Sequence, residues 1–117
     1  MHDRPLIETA IPRRRYQLGD HGATLLGEIR SGDRRQFRFI LALVPNGRQA
    51  PVLYVCAEDA AGSNDEGRYR LLIINEAMTE VLDASDQWGD EEAFAARALD
   101  VASHILGLQQ ESVVRLL

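Results

Sequence analysis

The sequence predicts an α+β fold, in which a four- or five-stranded antiparallel meander sheet is followed by a C-terminal helix packed on one face and by a short terminal helix. Three observations predict it. The strand-like segments of the 117-residue chain all precede its clearest helix, an order typical of α+β rather than alternating β-α-β domains. Short polar turns separate the first strands, which favours antiparallel neighbours. Apolar residues make up 45% of the chain, enough for one self-sufficient core.

An extended N-terminal arm is predicted for residues 1–15, and a single domain for residues 16–117. The arm carries two prolines, has no regular apolar period and ends in the run Arg13, Arg14 and Arg15, a pattern typical of irregular or extended backbone. Inside the domain, apolar alternation bounded by turn residues predicts strands. These strands cover residues 23–30, 36–44, 51–57 and 68–75, with a weaker one over 76–84.

The strongest strand signal is the segment QFRFILALV, residues 36–44. Side chains alternate between the two faces of a strand, so Phe37 and Phe39 are expected to share a face. The second half of the segment is apolar at every position, which favours a central strand covered on both sides. In the preceding strand, Gly27 is expected to mark a bulge.

The clearest helix is predicted for residues 86–107. Phe94, Ala98, Val101 and Ile105 recur at three- and four-residue steps, which gives an apolar stripe suited to lying on a sheet. Gly107 is a natural helix stop. Residues 109–117 resume helical spacing and predict the short terminal helix, which would need a neighbour for stability.

Charge is unevenly distributed along the chain, whose formal net charge is −5. Residues 1–50 hold nine arginines against five acidic residues, and residues 51–117 hold four against thirteen. This asymmetry favours a two-faced surface that meets a charged partner or a second copy. The complete absence of lysine favours a GC-rich bacterial genome. With neither a secretory leader pattern nor an apolar run of about 20 residues, we expect a cytoplasmic protein without membrane contact.

No catalytic, metal or cofactor motif stands out. The strongest ligand types, His2, His21, His104 and Cys56, lack metal-site spacing. Cys56 lies in an apolar strand, where a thiol is buried and unreactive. We therefore expect no cofactor and no metal, and catalysis is not favoured. Loops often carry function, so an enzyme or small-ligand site would be sought at the polar loop within residues 59–70.

These patterns predict a small non-catalytic protein that acts through protein–protein association, with a second copy or a larger partner. The less favoured alternative is nucleic-acid binding through the Arg-rich first half, where Phe37 and Phe39 would form a stacking platform. Against it stands the net negative charge. The residues expected at an association surface are Arg13, Arg14, Arg15, Arg35, Arg38, Val113, Val114, Leu116 and Leu117.

Overall fold

The computed structural model describes residues 3–60 and 68–117. This part of the chain forms one antiparallel sheet of seven strands and one α-helix. The strands are β1 (Ile7–Leu18), β2 (His21–Ser31), β3 (Phe37–Pro45), β4 (Leu53–Asp59), β5 (Tyr69–Asn75), β6 (Thr79–Ser85) and β7 (Val113–Arg115). A 3₁₀ turn, Asp86–Gly89, leads into the helix α1 (Glu91–Ile105). The spatial order is β6-β5-β4-β3-β2-β1-β7, so β6 and β7 are the two edge strands.

The α+β antiparallel architecture is confirmed, whereas the predicted number of strands is wrong. Residues 7–15, expected to form an arm, belong to β1 and pair with β2. The apolar residues of this segment do not alternate regularly, because Glu8 and Arg13 are extra residues relative to β2. Each extra residue moves the following side chains to the other face of the sheet.

The predicted terminal helix is also wrong, because residues 113–115 form β7. This strand pairs with residues 16–18 of β1. Helix and strand are hard to distinguish in so short an apolar segment. Here the outer edge of β1 offers backbone hydrogen-bond partners to residues 113–115. An isolated short helix would leave many of its terminal backbone groups without partners, so the segment forms a strand.

Helix α1 covers one face of the sheet, as predicted. Asp90 caps it by accepting a hydrogen bond from the amide of Ala93 at 2.9 Å. Phe94, Ala98 and Ala102 are completely buried against the inward-facing residues of the sheet. The ring of Phe94 stacks on that of Phe39, with 5.5 Å between centroids. This contact joins the middle of the sheet to the first turns of the helix.

The opposite face of the sheet has a smaller core, in which Ile40, Cys56 and Ile74 are fully buried. Residues of β1 and β2 pack against it. The segment before β1 adds to this cover, since Pro5 is buried and lines a cavity with Tyr54. Central strands are therefore covered on both sides. In residues 3–60 and 68–117, no helix has the length and apolar character needed to cross a bilayer.

Candidate association surface

Two of the arginines predicted at the association surface connect β1 to the start of α1 through ion pairs. Arg14 is only 7% exposed. Its Nε and Nη2 donate to Glu91 Oε2 and Glu92 Oε1, each at 2.7 Å, and Nη1 donates to the Tyr16 hydroxyl at 3.3 Å. Arg13 also pairs with Glu91. Hydrogen bonds to Glu92 and Tyr16 raise the pKa of Arg14. These two guanidinium groups are engaged within the molecule.

Arg35 and Arg38 lie over aromatic rings of the core. Arg35 donates from Nε to Glu58 Oε2 at 2.9 Å, and its guanidinium carbon lies 4.8 Å from the Phe37 ring centroid. Arg38 lies 4.9 Å from the ring centroid of Phe39. Such cation–π contacts cover the rings and hold the guanidinium groups in place.

Arg15 is the exception among the five predicted arginines. Its side chain is exposed, and no carboxylate in the described part of the chain pairs with it. Its backbone holds the C-terminal residues, since its carbonyl accepts from the amide of Leu116 at 2.7 Å and its amide donates to the Leu117 carbonyl at 3.3 Å. The structure therefore brings Arg15, but not the other four arginines, next to the predicted aliphatic tail.

The prediction that Phe37 and Phe39 share a face of the sheet is wrong, so the stacking platform of the less favoured nucleic-acid alternative is not formed. Relative to β4, Arg38 is an extra residue between them, so the two rings point to opposite faces of the sheet. Phe37 belongs to the smaller core and Phe39 to the core beneath α1. Both are buried, which leaves neither ring available to stack on a base.

The loop singled out for an enzyme or ligand site falls largely outside the described residues, which stop at residue 60 and resume at 68. Described residues on both sides of this gap, Asp59 and Arg70, line a cleft of about 380 Å³ together with Arg34, Arg35, Gln36 and Glu58. Glu58 pairs there with both Arg35 and Arg70, at 2.9 and 3.6 Å. These ion pairs engage the Glu58 carboxylate within the molecule.

Metal-ligating and nucleophilic groups are dispersed. Over residues 3–60 and 68–117, no three His, Cys, Asp or Glu side chains converge as a metal site would require. Cys56 has no exposed surface, and burial raises the pKa of its thiol. A thiol held neutral and shielded from water is a poor nucleophile.

The four predicted aliphatic residues lie together on the outermost strand and the residues after it. We call this surface the β7 edge: Val113, Val114, Leu116, Leu117, and the flanking Arg15 and Arg115. The four aliphatic side chains are 45–62% exposed. Hydrogen bonds to β1 fix their backbone, so the apolar groups are held in place on an ordered strand.

A second exposed apolar surface lies at the other end of the sheet, and sequence analysis missed it. This β6 edge comprises Met78, Val81, Leu82, and the acidic residues Glu76, Glu80 and Asp83. Its three apolar side chains are 38–52% exposed. A signal for it exists in the sequence: from residue 71 to residue 96 there are seven acidic residues and no basic one.

When the chain is compared with protein-family models, with curated proteins and with solved structures, none of them matches it.

Proposed function

We propose that this protein is a self-association module that contacts a second copy of itself through the β7 edge. The observation that carries the proposal is that the end strand and the residues after it expose four aliphatic side chains at one edge of the sheet, with Val113 and Val114 on its two faces. Removing apolar surface from water is favourable by about 25 cal/mol per Å². Exposed apolar side chains concentrated at one edge of a sheet are typical of a contact surface.

The order of the segment strengthens the proposal. Binding by a mobile tail would lose conformational entropy, which opposes association. Here Leu116 and Leu117 already donate backbone hydrogen bonds to the Arg15 carbonyl, at 2.7 and 3.2 Å. Much of that entropy is therefore lost during folding rather than during association.

Nucleic-acid binding is not supported by the same geometry. A nucleic-acid surface neutralises phosphates with free Lys or Arg side chains. Arg13 and Arg14 are paired with Glu91 and Glu92. The two phenylalanines that would stack on bases are buried on opposite faces.

Sedimentation velocity over a wide protein concentration range tests the proposal. We expect the weight-average sedimentation coefficient of the natural protein to rise with concentration. Val114→Glu, which places a charge at the centre of the β7 edge, should sediment as a monomer under the same conditions. The matched control is Gln49→Glu, at an exposed site in the β3–β4 connection, and it should associate normally. A natural protein that stays monomeric throughout, or a Val114→Glu variant that associates equally well, would refute the proposal.

A further inference from the structure

We infer that the β7 edge of one copy docks onto the β6 edge of the next, so that copies associate head to tail. This inference rests on the proposed function and names the surface that the β7 edge meets. The two edges lie at opposite ends of the same sheet. One molecule therefore cannot bring its own two edges together. On β6, Thr79 Oγ1 already donates to Asp3 Oδ2 of the same molecule at 2.8 Å, whereas Val81 and Leu82 are exposed.

Both edges offer exposed aliphatic side chains in a similar setting. Val81 and Val114 are each 52% exposed, and each lies near the middle of an edge strand. Leu82 is an extra residue relative to β5, so the β6 ladder is bulged. Bulges and charges on an edge strand hinder indiscriminate strand pairing. We therefore infer contact through side chains, selected by charge, rather than one continuous hydrogen-bonded ladder.

The charges on the two edges are complementary. Arg15 and Arg115 flank the aliphatic residues of the β7 edge, and Arg115 Nε also donates to the Leu117 carbonyl at 3.1 Å. Two acidic residues, Glu111 and Asp20, lie at the turn around Gly19. The β6 edge carries Glu80 and Asp83, and no basic residue lies on its strand. Docking one edge on the other brings guanidinium groups to carboxylates, and such complementarity selects partners and excludes wrong ones.

Symmetric pairing is disfavoured by the same charges. A two-fold dimer places the same surface patch of both copies in contact. Two β7 edges would oppose their arginines, and two β6 edges would oppose their carboxylates. Like charges brought together at an interface suppress association. A head-to-tail contact avoids both conflicts, and it generates an open chain or a ring rather than a closed dimer.

A complementation experiment tests this arrangement with two full-length variants, Val114→Glu for the β7 edge and Val81→Lys for the β6 edge. Val114→Glu adds a negative charge to the β7 edge, which would then repel the acidic β6 edge. Val81→Lys adds a positive charge to the β6 edge, which would then repel the arginines of the β7 edge. We expect either variant alone to associate at least about tenfold more weakly than the natural protein. A 1:1 mixture retains one unaltered edge of each kind, and it should form complexes containing both variants in sedimentation velocity.

The controls are Gln49→Glu and Gln49→Lys, which add the same charges away from both edges and should associate normally. Far-UV circular dichroism and thermal melting check that each variant is folded. If Val81→Lys associates normally while Val114→Glu does not, the head-to-tail inference is overturned and the proposed function stands. If the natural protein is monomeric, or both variants associate normally, the proposed function and the inference fail together.

Discussion

At the scale of single residues, Arg14 shows how a side chain expected on the surface becomes part of the framework. The sequence predicted all three arginines of the run at an association surface, yet the middle residue is buried and bonded to three partners. Gly27 allows the neighbouring Arg13 side chain to reach Glu91, since a Cβ at residue 27 would collide with it. Neither arrangement is visible in the sequence, because residues 13 and 91 are far apart along the chain.

Removing the Arg14 guanidinium should therefore destabilise the fold. We expect Arg14→Ala to lower the free energy of unfolding by about 2–3 kcal/mol, since it removes charge-assisted hydrogen bonds and leaves a partly buried carboxylate with fewer partners. Urea denaturation measures this value. Arg97→Ala removes an exposed pair with Asp100 and should cost about 0.5 kcal/mol or less. Equal losses of unfolding free energy in Arg14→Ala and Arg97→Ala would show that the Arg14 contacts stabilise the fold no more than an exposed ion pair does.

The same cluster predicts a pH dependence of stability. Burial raises the pKa of Glu91, but the hydrogen bonds and positive charges of Arg14 and Arg13 together lower it by more, so the net pKa lies below the ordinary 4.5. A carboxyl group with a depressed pKa in the folded state stabilises the fold above its unfolded pKa, and this contribution disappears as the pH falls through the folded value. Urea unfolding at a series of pH values should show a steeper decline below about pH 5 for the natural protein than for Glu91→Gln. If the unfolding free energies of the natural protein and Glu91→Gln change with pH in the same way, the lowered pKa of Glu91 is contradicted.

At the scale of elements, sequence analysis succeeds where a strand keeps its alternation and fails where a bulge breaks it. The segments predicted over 36–44 and 68–75 closely match β3 and β5. The extra residue Arg38 separates Phe37 from Phe39, and similar extra residues hide the first half of β1. Bulges depend on partners in the neighbouring strand, so a period of two along one segment does not reveal them.

The turn between β6 and α1 gives a prediction at this scale. Trp88 is buried there and donates from Nε1 to Asp83 Oδ2 at 3.1 Å. A Cβ at Gly89 would lie 2.5 Å from Cε2 of the Tyr69 ring. We expect Gly89→Ala to destabilise the protein by about 1–3 kcal/mol, because the ring must move from its packed position.

Thermal or urea unfolding measures this cost. The control is Gly32→Ala, at a site where an added Cβ would make only ordinary contacts and φ is not in the left-handed region. Its unfolding free energy should change by less than about 0.5 kcal/mol. If both alanine variants are equally stable, the ring of Tyr69 does not limit the size of residue 89.

At the scale of the whole molecule, the charges on the two edge strands differ in sign, since β6 carries Glu80 and Asp83 without a basic residue and β7 carries Arg115. Sequence analysis singled out the tail residues, because four aliphatic residues in a short segment are conspicuous, and their side chains are half-exposed. The β6 edge was missed, because residues 76–84 contain apolar residues that a core could equally have used. Which end of the sheet each segment occupies depends on the long-range pairing of β1 with β7, and local patterns do not encode that pairing.

The charge difference between the ends predicts how association responds to salt. Raising the ionic strength from about 0.1 to 1 M shortens the screening length from about 10 to about 3 Å. Attraction between Arg15 or Arg115 and the carboxylates of the β6 edge should weaken, and the association constant should fall several-fold. Contact through aliphatic groups alone would persist, because salt does not screen it. Arg115→Gln should therefore associate more weakly at low salt and show a flatter salt dependence. Sedimentation velocity at both salt concentrations measures this, and association that is unchanged or stronger in 1 M salt would exclude charge as the determinant of the contact.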